Sequence, residues 1–323
     1  MNRIGTGVLF ILLLIIITSC QGVTEFIPPD LEERIWVNAI LNDSREQNFI
    51  IIEKSFQREY PDEKTKLENL SVTIKSESKV VFDYFNPESE NRSDTVYLPP
   101  GLKFIPGQKF TLTVSEKNTK EVSSEITVPP TPSDPQFTAS FIQTFLPPPF
   151  ECHNPVKSLI MEILFKSEKD QFYYIDIESY SNTSRYQVDY EIIESNSSYF
   201  KTFIHGFRSI GFRNCHISDM ESIPFNFYQP FFFNGRTIPE DTCRLKIKID
   251  LIKYYYDYKR PFIIYVNSIP ADFYYFEKNY HTYYENLFDP FSEPVFLKGN
   301  IKGGFGIFTI CSSKYYSLII NDL

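Results

Sequence analysis

"LSVTIKS", residues Leu70 to Ser76, places Leu70, Val72 and Ile74 on one side of an extended chain and Ser71, Thr73 and Lys75 on the other. Side chains alternate across a strand, so this period of two marks a strand with one face in a core and one in water. The neighbouring runs read the same way. They are "IWVNAIL" (35–41), "FIIIEKSF" (49–56), "KVVFDYF" (79–85), "KFTLTVS" (109–115) and "SEITVP" (124–129). In "YLPPGLKFIPGQKF" the Pro-Gly pairs at 100–101 and 106–107 mark tight turns. Short alternating strands separated by turn signals, with no long helical period among them, predict an Ig-like β-sandwich over residues 33–128.

"PPTPSDP" (129–135) follows, with four prolines in seven residues. Proline lacks the N–H that a sheet ladder needs, so this stretch reads as a stiff, extended linker and a domain boundary. Residues 136–323 then read as a second, larger β-rich domain. Its strand signals are "QFTASFIQTF" (136–145), "SLIMEILFK" (158–166), "QFYYIDIESY" (171–180), "YQVDYEIIES" (186–195), "FKTFIHGF" (200–207), "RLKIKIDLIKYY" (244–255) and "PFIIYVNSI" (261–269).

One stretch changes period. In "SIPADFYYFEKNYHTYYENLFDP" (268–290), Phe273, Phe276, Tyr280, Tyr284 and Leu287 recur at steps of three or four. That spacing predicts a helix near 270–288 with its aromatic stripe packed on a sheet. Ser268 can cap it, Pro270 suits its first turn, Asp272 lies near the positive end of its dipole, and Asp289-Pro290 stops it.

Composition narrows the class. The 323 residues are 42% hydrophobic and 23% charged, which is globular, and the length suits about two domains. A net charge of −9 argues against a nucleic-acid partner, which needs a basic surface. The 31 Phe and 22 Tyr favour strands, and Tyr also suits binding surfaces.

The first residues give the compartment. Met1-Asn2-Arg3 is a basic start, and "VLFILLLIII" (8–17) is an apolar run of ten residues, against about 20 for a membrane span. This reads as a signal peptide over 1–19. It ends in Ile17-Thr18-Ser19-Cys20, which resembles the bacterial lipobox. That resemblance implies a diacylglycerol thioether on Cys20, cleavage before it, and a further acyl chain such as palmitate on the new N-terminus. Several acyl chains anchor firmly, so the expectation is a protein held on a membrane through Cys20, with residues 20–32 as a tether. Gln21, in place of the Asp that signals inner-membrane retention, points to the outer membrane, on either its periplasmic or its cell-surface face.

Four further cysteines, Cys152, Cys215, Cys243 and Cys311, lie in the second half. In an oxidising compartment an even number fits two disulfides, with three connectivities open. The rival reading is a metal site, and free buried thiols are a further alternative. Cys152-His153 and Cys215-His216 lack zinc-site spacing, and neighbours on a strand point to opposite faces, so no metal is expected.

Catalytic motifs are sparse. His153, His205, His216 and His281 form no HExxH, and there is no GxSxG elbow, Walker loop or calcium loop. Asp189 and Glu191 share a strand face, which reads as solvated surface. The expectation is a protein that is not an enzyme and carries no cofactor. The best surface candidate is "KYYYDYKRPF" (253–262), whose Tyr254, Tyr255, Tyr256, Tyr258, Lys259 and Arg260 combine aromatic area with positive charge; a strand end with its loop is the plain alternative. "KGNIKGGFGIFTI" (298–310) concentrates four glycines, but a third glycine at dinucleotide-site spacing from Gly304 and Gly306 would fall on Thr309. These glycines fit strand bends or close backbone approach.

"FSEPVFLKGNIKGGFGIF" (291–308) resembles the C-terminal signature of the domain of unknown function 4249 family. The matching positions are Glu293-Pro294-Val295, Asn300-Ile301, Gly303-Gly304 and Gly306-Ile307-Phe308. "FFFNGRTI" (231–238) is similar to the family's Phe-Asn-Gly-Lys element, with Asn234 and Gly235 in place and Arg236 for the usual Lys. The stretch 268–291 resembles its Tyr-rich helix. "LSVTIKS" and "YLPPGLKFIPGQKFTLTVS" resemble its N-terminal sandwich, although the glycine common before the first strand pair is replaced around Val37-Asn38. The likeness is strongest over 225–308. It implies a Bacteroidota outer-membrane lipoprotein of no established activity, often found beside TonB-dependent receptors. The implied role is an accessory to nutrient uptake that binds a ligand or that receptor. A surface hydrolase on glycan or peptide, or an adhesive surface protein, are the alternatives.

Overall fold

A computed structural model of the chain describes residues 34–45, 47–54, 66–88, 93–144, 156–180, 185–188, 191–196, 231–250, 261–286 and 297–319. The fold is mainly β. The first part of the chain gives β1 (Ile35–Asn42), β2 (Phe49–Lys54), β3 (Glu68–Ser76), β4 (Lys79–Glu88), β5 (Ser93–Tyr97), β6 (Lys109–Ser115) and β7 (Val122–Thr127). Then come β8 (Gln136–Thr144), β9 (Val156–Lys166), β10 (Phe172–Tyr180), β11 (Arg185–Gln187), β12 (Glu191–Ser195), β13 (Phe231–Asn234), β14 (Thr242–Asp250) and β15 (Pro261–Ile269). Helix α1 (Ala271–Asn286) leads to the last strand, β16 (Phe305–Ile319).

These elements stack in layers around one long sheet. Its order is β11-β10-β15-β16-β1-β2-β5, with β13 also paired to β10. Among the described residues there are also two four-stranded sheets, β4-β3-β6-β7 and β12-β14-β9-β8. Alternation along the central strands sorts their side chains between two faces. On β1, Ile35, Val37, Ala39 and Leu41 join Leu70, Val72, Ile74, Phe110, Leu112 and Val114 in one core. Toward the other end of the same face, Tyr173, Ile175 and Ile177 of β10 join Leu159, Met161 and Ile163 of β9 and Leu245, Ile247 and Ile249 of β14 in a second core. The two smaller sheets therefore cover one face of the large sheet, side by side. A third core lies on the opposite face, where Phe273, Tyr274 and Phe276 of α1 meet Ile269, Ile307 and Cys311. Each fully buried aliphatic or aromatic side chain here contributes about 1.5–3 kcal/mol relative to exposure.

The expected linker at 129–135 runs between β7 and β8. Those residues do separate strands of the two smaller sheets, and each half has a core. The halves are nevertheless not independent in chain order, because β16 pairs in parallel with β1, from Trp36 opposite Phe305 to Asn42 opposite Cys311. Phe308 and Ile310 enter the first core. A parallel partner must arrive by a long crossover, and here almost the whole chain is that crossover.

The Gly-rich signature is the joint of this return. Gly306 has a φ of +101°, and a Cβ there would lie 1.9 Å from the Val37 carbonyl oxygen. A Cβ on Gly299 would lie 1.6 Å from the Gly306 carbonyl oxygen. Such approach admits only glycine. Gly303 and Gly304 form the turn between, where Lys302 and Ser123 of β7 exchange backbone hydrogen bonds of 2.8 and 3.1 Å. Asn300 clamps the following strand: the Phe308 N–H donates to its Oδ1 (2.9 Å), and its Nδ2 donates to the Phe308 carbonyl (2.8 Å). Asn234 and Gly235 are a second joint. Asn234 Oδ1 accepts from the Arg236 N–H (3.0 Å), and Gly235 packs on the Glu168 carbonyl and receives its turn through a 2.9 Å bond to the Gln171 carbonyl. Glu293 and Pro294 lie outside the described residues.

Other expectations are refined. Helix α1 lies where the aromatic period put it, but Ser268 does not cap it. Ser268 belongs to β15 and is buried, while Pro270 precedes the first turn and its carbonyl accepts from Tyr274 (3.2 Å). The run 186–195 divides into β11 and β12, which join different sheets. The run 200–207 lies outside the described residues. The disulfides expected for Cys243 and Cys311 are not formed: both are free, buried thiols. They lie on opposite faces of the large sheet, Cys243 in the core beneath it and Cys311 under α1, so they cannot meet. Burial pushes each thiol up to about 12. Cys152 and Cys215 lie outside the described residues, as do Cys20 and the whole of 1–33. Among the described residues no helix is long and apolar enough to cross a membrane.

Candidate ligand cleft

α1 crosses one face of the large sheet without covering it. Beside the helix, over β1 and β2, a cleft of about 400 Å³ remains. Its floor is set by strand alternation. Trp36, Asn38 and Ile40 are the β1 residues that point away from the first core, and Ile51 and Glu53 are their counterparts on β2. Phe276, Glu277 and Tyr280 of α1 form the wall, and Ile307 of β16 closes the inner end. Trp36 is the single Trp of the sequence. Phe276 and Tyr280, one helical turn apart, stack with centroids 6.4 Å apart.

Glu277 is the distinctive group. Its carboxyl is half-buried against aromatic and aliphatic side chains, and among the described residues no hydrogen bond or ion pair engages it. Burial pushes it up to about 7. Its charge is felt at the Cys311 thiol, on the strand beneath the helix. Glu53 and Asn38 face the same space, and among the described residues neither side chain has a hydrogen-bond partner.

Farther along the same face is a buried polar network. Asn42 Nδ2 donates to Asn267 Oδ1 (3.0 Å), Asn267 Nδ2 donates to the Tyr174 carbonyl (3.0 Å), and the Ser313 hydroxyl lies 2.9 Å from Asn42 Oδ1. Asp43 accepts from the Ser313 N–H (2.9 Å) and the Ser312 hydroxyl (3.1 Å), and burial raises its carboxyl above the usual range. Arg45 reaches both Asp176 and Glu178 at 3.0 Å. These two carboxylates converge, but they are buried and locked to a guanidinium. They fasten the β1–β2 turn to β10 and present no reacting group to a ligand.

The residues singled out by sequence stand elsewhere. Tyr254, Tyr255, Tyr256, Tyr258, Lys259 and Arg260 lie outside the described residues, as do Asp189 and the side chain of Glu191. Asn234, Gly235, Asn300, Gly303, Gly304, Gly306 and Phe308 are structural joints and do not line the cleft. The cleft residues went unmarked as a site. The available signals were a lone Trp on the outer phase of β1 and an acidic residue set into the aromatic stripe of α1.

The described residues form a mainly β protein with a helix packed on its large sheet and an acidic, aromatic cleft at the helix edge. The chain belongs to the family described as domain of unknown function (DUF4249), whose model matches residues 24–317. No curated protein matches it. Among solved structures it is similar to Salmonella alpha-2-macroglobulin reacted with methylamine, at 9% identity and a TM-score of 0.27. That match covers 77% of this chain and 14% of the other.

Proposed function

We propose that the protein is a lipid-anchored binding module of the outer membrane, an accessory that captures a ligand or partner for a TonB-dependent uptake system. The observation that carries the binding role is the α1-edge cleft. Its volume lies within the range of small-molecule sites, and its lining combines aromatic and aliphatic side chains with a few polar groups, Glu277 among them without a partner among the described residues. The lipobox-like run ending at Cys20 supports the anchor, and the Bacteroidota family resemblance supports the uptake setting. Metabolic labelling with a palmitate analogue, followed by membrane fractionation, tests the anchor. Label on the wild type in the outer-membrane fraction, lost in Cys20→Ala, is expected. An unlabelled wild type in the soluble fraction contradicts it.

A second reading has one observation in its favour. Glu53 and Glu277 line one cleft, and paired carboxylates beside an aromatic floor suit hydrolysis of a glycan. Turnover of a glycan by wild type and its loss in Glu277→Gln would favour that reading over pure binding.

A further inference from the structure

We propose that the α1-edge cleft binds an organic amine, with the cationic head paired to Glu277 and the apolar body held among Trp36, Phe276 and Tyr280. The inference rests on the binding reading above and names the ligand class for it.

The charge of the lining comes first. Among the described residues that line the cleft, Glu53 and Glu277 are acidic, Asn38 is an amide, and none is basic. An anionic ligand would meet two like charges. A purely apolar ligand would deepen the burial of Glu277 and leave it with no counter-ion, which is costly for a carboxylate. A protonated amine meets both conditions, because its N–H groups donate to Glu277 and its charge offsets the carboxylate's.

The walls add a second, independent argument. Trp36 on the floor and the stacked Phe276 and Tyr280 on the helix line the same space. Aromatic faces attract a cation, Trp most strongly. A cage of aromatic side chains with a carboxylate is the arrangement that recognises ammonium groups, and the remaining apolar lining, Ile40, Ile51 and Ile307, suits an attached hydrocarbon body.

The ionisation of Glu277 ties recognition to pH. Among the described residues, Glu53 of β2 and Tyr280 of its own helix line the same cleft, the Cys311 thiol lies on β16 beneath it, and β1 contributes the uncharged Asn38. Cys311 stays protonated through neutral pH, since burial raises it to about 12. Glu277, raised to about 7, is the group that changes charge across the neutral range. An amine that stays protonated there gains its partner as the pH rises.

Trp36 supplies the readout, because the only indole in the chain lies on the cleft floor. The full lipoprotein in detergent is titrated with 2-phenylethylamine, 2-phenylethanol and 3-phenylpropionate, and Trp36 emission is followed from pH 5.5 to 8.5. The amine is expected to bind at pH 8 at least about tenfold more tightly than the alcohol, equivalent to about 1.4 kcal/mol, and the acid least of all. Amine affinity is expected to rise through pH 7 in the wild type. Glu277→Gln should erase both the preference and the pH dependence while retaining the alcohol response. An equal response to amine and alcohol overturns the amine class and leaves the cleft a binding site. No saturable response to any of the three, with circular dichroism showing folded protein, overturns the cleft as a small-molecule site and the binding reading with it.

Discussion

The Nζ of Lys54 lies 2.8 Å from Oε1 of Glu116, and both side chains are buried. Lys54 ends β2 in the large sheet, and Glu116 follows β6 in the sheet packed against it, so the pair ties two layers together. It is well satisfied. Lys54 also donates to the Lys66 carbonyl (2.8 Å), and Glu116 accepts from the N–H groups of Glu68 (3.2 Å) and Asn118 (3.0 Å). Lys54→Met leaves Glu116 buried without its cation. Urea denaturation should show a loss of about 3–5 kcal/mol, whereas the double variant with Glu116→Leu should recover part of it. A single-variant loss within about 0.5 kcal/mol of zero would mean that the pair is solvated in solution.

Gly306 is held by contact with Val37 as well as by its positive φ. Gly306→Ala should break the return of β16 onto β1. The expected result is a fall of at least several kcal/mol, read as loss of cooperative thermal unfolding or of soluble expression. Gly101, which also has positive φ but no neighbour within 4 Å of a Cβ, is the control, and its Ala variant should cost about 1 kcal/mol.

Cys243 and Cys311 should behave as inert thiols. In native protein at pH 8 neither should react with a thiol-specific reagent within minutes, and both should react on unfolding, because buried protonated thiols are poor nucleophiles. Peptide mapping without reduction should find both unlinked. A peptide in which Cys243 is linked to Cys311 would contradict the layer assignment.

Glu277 should also write itself into the pH dependence of stability. Its folded-state value, about 7, stands above the 4.5 of the free side chain, so the folded chain binds this proton more tightly than the unfolded chain. Stability from this group is therefore greatest at low pH and declines as pH rises from about 4.5 to about 7. Glu277→Gln should remove that decline. It should raise stability at pH 8 by on the order of 1–2 kcal/mol, a figure reduced for the partial solvent access of the side chain. Asp43, shifted in the same direction by burial, remains in the variant and should retain a smaller slope at more acidic pH.

Much of the fold was legible because it depends on local alternation. Leu70, Val72 and Ile74 lie in the core as their spacing requires, and the Phe273–Phe276 phase of α1 is buried on the sheet. What sequence did not carry was partnership. Nothing local to "FGIFTI" says that it pairs with "WVNAIL" hundreds of residues away. β13 and β5 are short, and their identity as strands comes from β10 and β2 beside them. The cleft was hidden because its groups come from β1, β2, α1 and β16. Trp36 and Glu277 meet only through that long-range pairing, whereas the conspicuous glycines and Asn300 proved to be the joint that makes the pairing fit.

The central claim is an outer-membrane module that serves a transporter, and affinity isolation from gently solubilised outer membranes tests it most directly. The tagged protein is recovered with its partners for mass spectrometry, beside a Cys20→Ala control. The account expects a TonB-dependent receptor in stoichiometric amount with the wild type and its loss in the control. A wild-type protein recovered from the outer membrane with no receptor beside it would contradict the account.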